Sequence, residues 1–134
     1  MKLNKLTQEQ YDVCFLKVTE APGSGKYDKY FEPGEYMCVA CGQKLFSSET
    51  KYDSGTGWPA FWDVAGPHLI KRETDFSMVV PRTEVLCKSC GAHLGHVFED
   101  GPKPTKKRYC INSLALSFVA DNLGSTNCKY SSVG

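Results

Sequence analysis

The sequence predicts a mainly β protein, an antiparallel sandwich or barrel behind a helical N-terminal arm. From Tyr27 onward, short runs rich in β-branched and aromatic residues alternate with Gly, Pro, Asp and Ser, the texture of short strands joined by turns. No second long helical pattern follows, which argues against a βαβ fold. The 134 residues suit one domain. It divides into an arm over 1–26, a β core over 27–120 and a tail over 121–134.

The arm is read from Thr7-Gln8-Glu9-Gln10, a capping box that opens a short helix. Tyr11, Cys14, Phe15 and Val18 then recur at helical spacing and share one apolar face. Ala21-Pro22-Gly23-Ser24-Gly25 ends the helix. Candidate strands span 35–39, 44–47, 68–72, 76–81, 84–87, 96–99 and 109–119. After Asp121 the chain is small and polar, so a frayed tail is expected.

A formal net charge of +1 gives no pull toward nucleic acid or an anionic membrane. No apolar run approaches a membrane span, and Met1-Lys2-Leu3-Asn4-Lys5 lacks the apolar stretch of a secretory signal. The simplest location is the cytoplasm, unless an organelle-targeting segment has been trimmed. A monomer is expected.

Seven cysteines are present, an awkward number for a pure disulfide framework. Four of them form two matched motifs, Cys38-Val39-Ala40-Cys41-Gly42 and Cys87-Lys88-Ser89-Cys90-Gly91. Each turn sets two thiolates on one side of a bend, and two such turns complete a tetrahedral shell of sulfur around zinc. No position is left open, so the ion would be structural, and no organic cofactor is expected. Iron competes for the same donors, as in rubredoxin-like electron carriers.

Cys110 stands apart. On an extended 108–118 segment, period-two alternation puts Arg108, Cys110 and Asn112 on one face, continuing as Leu114, Leu116 and Phe118. A polar, cationic end then runs into an apolar one, which suits a thiol at the mouth of a pocket. The neighbouring Arg108 favours the thiolate, which is the nucleophile. Asn112 can donate to sulfur or substrate. Spacing alone also admits a buried, inert cysteine.

His93 and His96 follow the second cysteine turn, which would anchor them as proton donors or leave them as core histidines. Gly55-Thr56-Gly57-Trp58-Pro59 offers a fixed indole face for a methyl group or a polarised sulfur. The four basic residues in the 100–108 loop read as a solvated face.

Read together, four blocks resemble the methionine sulfoxide reductase B family. They are Gly55-Thr56-Gly57-Trp58-Pro59-Ala60-Phe61, Cys90-Gly91-Ala92-His93-Leu94-Gly95-His96-Val97-Phe98, Asp100-Gly101-Pro102 and Arg108-Tyr109-Cys110-Ile111-Asn112-Ser113. The likeness runs from about Leu6 to Val119. It implies two small antiparallel sheets with short N-terminal helices and a distal zinc. It implies reduction of the R epimer of methionine sulfoxide, free or in proteins, through a sulfenic acid on Cys110. His93 and His96 would polarise and protonate the sulfoxide, Arg108 and Asn112 would organise the thiolate, and Trp58 with Phe98 would hold the substrate. A thiol reductant such as thioredoxin would regenerate the enzyme.

Two departures stand out. Thr56 occupies the place where many relatives carry a resolving cysteine, leaving Cys14 and Cys128 as candidates for that role. Lys106 stands where many have Gly, so another loop geometry is expected. A zinc-knuckle binding module without turnover, or a rubredoxin-like carrier, remains the alternative.

Overall fold

The computed structural model describes residues 3–121. Cys128 and the tail beyond Asp121 lie outside the described residues.

The arm carries one α-helix, α1 (Gln8–Leu16). The Thr7 hydroxyl accepts from the Gln10 amide, and the Gln10 side chain accepts from the Thr7 amide, so the reciprocal cap forms as expected. The helix stops well short of Ala21. Lys17 turns into the left-handed region at φ 59°, and its amide donates to the Asp12 carbonyl. This early stop changes the buried face. Val18 falls beyond the helix and Tyr11 faces water, whereas Val13 and Cys14 are buried.

Two antiparallel sheets follow. In the smaller, β1 (Gly34–Cys38) lies between β2 (Lys44–Ser47) and β9 (Leu116–Ala120). The larger has the order β3-β4-β8-β7-β6-β5. Its strands are β3 (Lys51–Tyr52), β4 (Ala60–Phe61), β5 (Ile70–Asp75), β6 (Arg82–Cys87), β7 (His93–Phe98) and β8 (Arg108–Ile111). Tyr36, Phe46, Phe61 and Tyr109 are buried together, with Phe46 stacked on Phe61 at 4.3 Å.

Three expected strands are corrected. The 68–72 run begins as a 3-10 turn, Pro67–Leu69, because Pro67 can open a helical turn but cannot donate to a ladder. The 76–81 run forms no strand. Phe76, Val79 and Val80 are exposed, so their β propensity has no partner surface to act on. The 109–119 run breaks at a 3-10 turn, Ser113–Ala115, and its halves join different sheets. Face alternation therefore holds from Arg108 to Asn112 and not beyond. The two-residue strands β3 and β4 escaped a pattern search because they are too short to show a period.

The register of the larger sheet places the chemistry. Ala60 pairs with Cys110, Cys110 with His96, and His96 with Glu84. Directly paired residues project to the same face, so one row holds a thiol, an imidazole and a carboxylate. The adjoining row, Thr83, Val97 and Tyr109, points the other way into the core. Gly95, paired with Ile111, has no room for a side chain. A Cβ there would collide with the Cys110 carbonyl oxygen, forcing β7 away from β8.

Candidate active site and metal centre

The four cysteines of the paired turns converge at the end of the larger sheet. Their sulfurs all lie within 4.8 Å of one another. Cys38 Sγ is 3.7 Å from Cys90 Sγ, and Cys41 Sγ is 3.7 Å from Cys87 Sγ. A tetrahedral ion with bonds near 2.3 Å sets sulfur–sulfur edges of roughly 3.8 Å. The cysteines are thus positioned to bind a metal ion. Each turn closes by a backbone hydrogen bond of 2.8 Å, the Gly42 amide donating to the Cys38 carbonyl and the Gly91 amide to the Cys87 carbonyl. Both glycines need positive φ, 83° and 80°. Gln43 Nε2 approaches Cys87 Sγ at 3.5 Å. Hydrogen bonding to Cys87 and burial hold the Cys38 thiol well above its ordinary range, while the hydrogen bond from Cys38 draws the Cys87 thiol down to about 5. Four thiolates this close repel one another, so a cation is what lets all four ionise.

A cavity of about 280 Å³ opens over the sheet row described above. Six residues singled out in the sequence line it: Trp58, His96, Phe98, Arg108, Cys110 and Asn112. Thr56 lines it as well. His93 does not; it is buried behind His96, with the two ring centres 5.6 Å apart.

The two histidines share a face because of a bulge. Val85 pairs with Gly95 but Leu86 pairs with His93, leaving Leu94 as the extra residue on β7. Strict alternation would send residues three apart to opposite faces, and the bulge cancels that.

Each polar side chain has a defined partner. His96 Nε2 lies 2.8 Å from Asp75 Oδ2. Arg82 Nη2 donates to the same oxygen at 3.1 Å, and the Ser77 amide donates to Oδ1 at 2.9 Å. The Ser77 amide first, then His96, holds the Asp75 carboxyl well below the usual carboxylate range. His93 Nε2 lies 3.6 Å from Glu84 Oε2, and Lys17 Nζ lies 3.2 Å from Glu84 Oε1. Burial lowers the His93 pKa, and Glu84 opposes that only in part.

Arg108 grips Asp100 with two bonds, 2.9 and 3.1 Å, and its guanidinium lies 4.4 Å from the Phe98 ring centre. Its effect on Cys110 is weaker than its position in sequence suggested. Burial pushes the Cys110 thiol up, and Arg108 and the Thr56 hydroxyl only partly offset that.

Glu20 ties the arm to this site. Its amide donates to Asn112 Oδ1 at 3.1 Å, its carbonyl accepts from Trp58 Nε1 at 3.0 Å, and its carboxylate accepts from the Leu114 amide at 3.0 Å. The second Asn112 contact donates to the Leu94 carbonyl at 3.0 Å. Cys14 is buried, and burial together with the nearby Cys90 and Cys87 pushes its thiol up to about 12.

Asp75, Arg82, Glu84 and Glu20 were missed in the sequence. Arg82 and Glu84 sit two apart on one strand, a weak available signal. Glu20 gave none, since its role is carried largely by its backbone. Lys106 adopts a glycine-like φ of 61°.

The SelR domain family model matches residues 6–120. The peptide methionine sulfoxide reductase MsrB of Methanosarcina barkeri is 55% identical over 119 residues, covering 89% of this chain and 84% of that protein. Its namesake in Hahella chejuensis is 54% identical over 114 residues, covering 85% and 82%. The mitochondrial methionine-R-sulfoxide reductase B3 of Mus musculus is 55% identical over 115 residues, covering 86% of this chain and 46% of that protein.

Proposed function

The chain belongs to the SelR domain family, represented among its relatives by peptide methionine sulfoxide reductases, and we propose that it reduces methionine-R-sulfoxide with Cys110 as the nucleophile. The observation that carries this reading is the direct pairing of Cys110 with His96 beneath one cavity.

The sulfoxide side chain enters the cavity with its methyl group against Trp58 and Phe98. Cys110 thiolate attacks the substrate sulfur, forming an Sγ–S bond, while His96 gives a proton to the sulfoxide oxygen. The hydroxyl then passes to Cys110 as the Sγ–S bond and the substrate S–O bond break, leaving an S–O bond on Cys110. Thiolate, sulfoxide and one proton yield a sulfenic acid and a thioether, with two electrons passing from Cys110 to the substrate. Arg108 restrains the thiolate's charge, and Asn112 holds the strap that carries Thr19 and Glu20.

The four-cysteine centre is read as a zinc site. Zinc there would brace the fold and take no part in the reaction. A rubredoxin-like carrier or a zinc-knuckle module without turnover would not call for a thiol that opens on a cavity beside a carboxylate-paired imidazole.

Regeneration is assigned to an external thiol such as thioredoxin, acting on Cys110 directly or through Cys128. What supports this order over Cys14 is that thiol's burial beside the metal cysteines and its high pKa, since exchange needs an accessible thiolate. Disulfide mapping after one equivalent of substrate separates these routes; a Cys14–Cys110 bridge would restore Cys14. The main test is racemic methionine sulfoxide with dithiothreitol, followed by chiral analysis. The R epimer should vanish and the S epimer remain; loss of S, or of neither, sinks the reading.

A further inference from the structure

The hairpin of β5 and β6 ends in an apolar tip that the fold does not use. Its last ladder pair is Asp75 with Arg82, and residues 76–81 leave the sheet beyond it. Phe76 is 75% exposed, Met78 57%, Val79 102% and Val80 72%. Scattered exposed apolar residues are ordinary, but four within five residues form a patch of the kind that marks contact sites.

The patch continues the wall of the cavity. Asp75, the residue before it, is hydrogen-bonded to His96, and Arg82, which follows it after Pro81, lines the cavity itself. About 280 Å³ accommodates one side chain and not the residues flanking it. A polypeptide substrate must therefore lay its neighbouring residues on the rim. On the side of Arg108 the cavity is charged, with Arg108 paired to Asp100. Unfolding exposes apolar residues that the fold buries, so an unfolded segment that carries a sulfoxide can offer such a surface apolar side chains. Four exposed apolar side chains are few against the roughly 20–30 residues per partner of a stable interface, which suits a transient chain better than a second copy.

We propose that the 76–80 tip is a docking surface for apolar residues flanking methionine sulfoxide in an extended, oxidised polypeptide. The proposal rests on the reading of the cavity as the sulfoxide site.

The test combines Phe76→Ser, Val79→Ser and Val80→Ser in one variant, all at exposed positions outside the catalytic groups. kcat/KM is measured for N-acetyl-methionine-R-sulfoxide and for two heptapeptides with a central R-sulfoxide, one flanked by Leu and Val, the other by Ser and Gly. The unaltered protein should favour the apolar peptide by about tenfold, roughly what one further buried side chain contributes. The variant should lose that preference through KM and keep the small substrate within about twofold. An unaltered protein without preference, or a variant that retains it, overturns the proposal. So does an equal loss on all three substrates. A second measurement does not need turnover: the unoxidised Leu/Val peptide is titrated into Cys110→Ser protein and followed by amide chemical shifts. Shifts at 76–80 support docking, and their absence overturns it. If no R-sulfoxide is reduced at all, the catalytic reading falls while this titration still decides the tip. Self-association that the triple variant abolishes, with peptide preference unchanged, would assign the tip to a second copy and overturn the proposal.

Discussion

Asp75 Oδ2 lies 2.8 Å from His96 Nε2, although the two residues belong to strands that are not neighbours in the sheet. β6 runs between β5 and β7, and the end of β5 reaches past it. The carboxylate orients the imidazole and is itself fixed by Ser77 and Arg82.

Asp75→Asn should keep a hydrogen-bonding group but lose the charge, slowing R-sulfoxide reduction by about 10–100-fold, less than removal of the acid itself. Stability tests the same link. The Asp75 carboxyl is depressed in the folded protein, so its contribution is present above the unfolded value near roughly 3.9 and is lost as pH falls through the lower folded value. Urea unfolding should show the native protein more stable than Asp75→Asn at pH 7, with the gap shrinking in strong acid.

Burial raises the Cys110 thiol and Arg108 lowers it. Alkylation of Cys110 should therefore have its midpoint above the roughly 8.5 of a free cysteine. Arg108→Met should move the midpoint higher still. Iodoacetamide labelling against pH, followed by peptide mass, reads both shifts; a midpoint below 8 in the native protein would contradict the geometry.

Cys38→Ser should release the metal and with it much of the fold, because structural zinc contributes on the order of 10 kcal/mol in small domains. Elemental analysis should give one zinc per chain before the change and none after. Stoichiometric iron, or unaltered melting of Cys38→Ser, would refute the assignment.

Lys106 holds φ 61°, a conformation that costs a side-chain-bearing residue about 1–2 kcal/mol. Glycine relieves this but brings back chain entropy. Lys106→Gly should raise unfolding free energy by up to about 1 kcal/mol, and Lys106→Val should lower it by a similar amount. Urea melts of the three proteins check the sign.

The four-cysteine cluster was legible because its information is local: two short motifs with glycine at the turn. Cys110, Arg108 and Asn112 were legible because a single strand carries all three. Asp75 was not, because it meets His96 only through register across three strands. His93 and His96 could be named as a pair, but the bulge at Leu94 that turns both to one face leaves no compositional mark. The run from 76 to 81 misled for the opposite reason. It has the residues of a strand, yet chain geometry leaves it without a neighbour. Thr56 shows a further limit: its contact with Cys110 depends on a turn from another part of the chain.

The bend between β6 and β7 is the second cysteine turn itself, with Cys87 closing one strand and Cys90 preceding His93. One end of that hairpin carries two of the four cysteines positioned to bind a metal ion, and the strand beyond it carries His96, the proposed proton donor. Under the proposed reading, loss of a cation bound there should therefore be felt at Cys110 through the strand pairing alone. A chelator or a thiol oxidant working at the knuckles is then expected to loosen the pairing of His96 with Cys110 and to inhibit the proposed reaction without occupying the cavity.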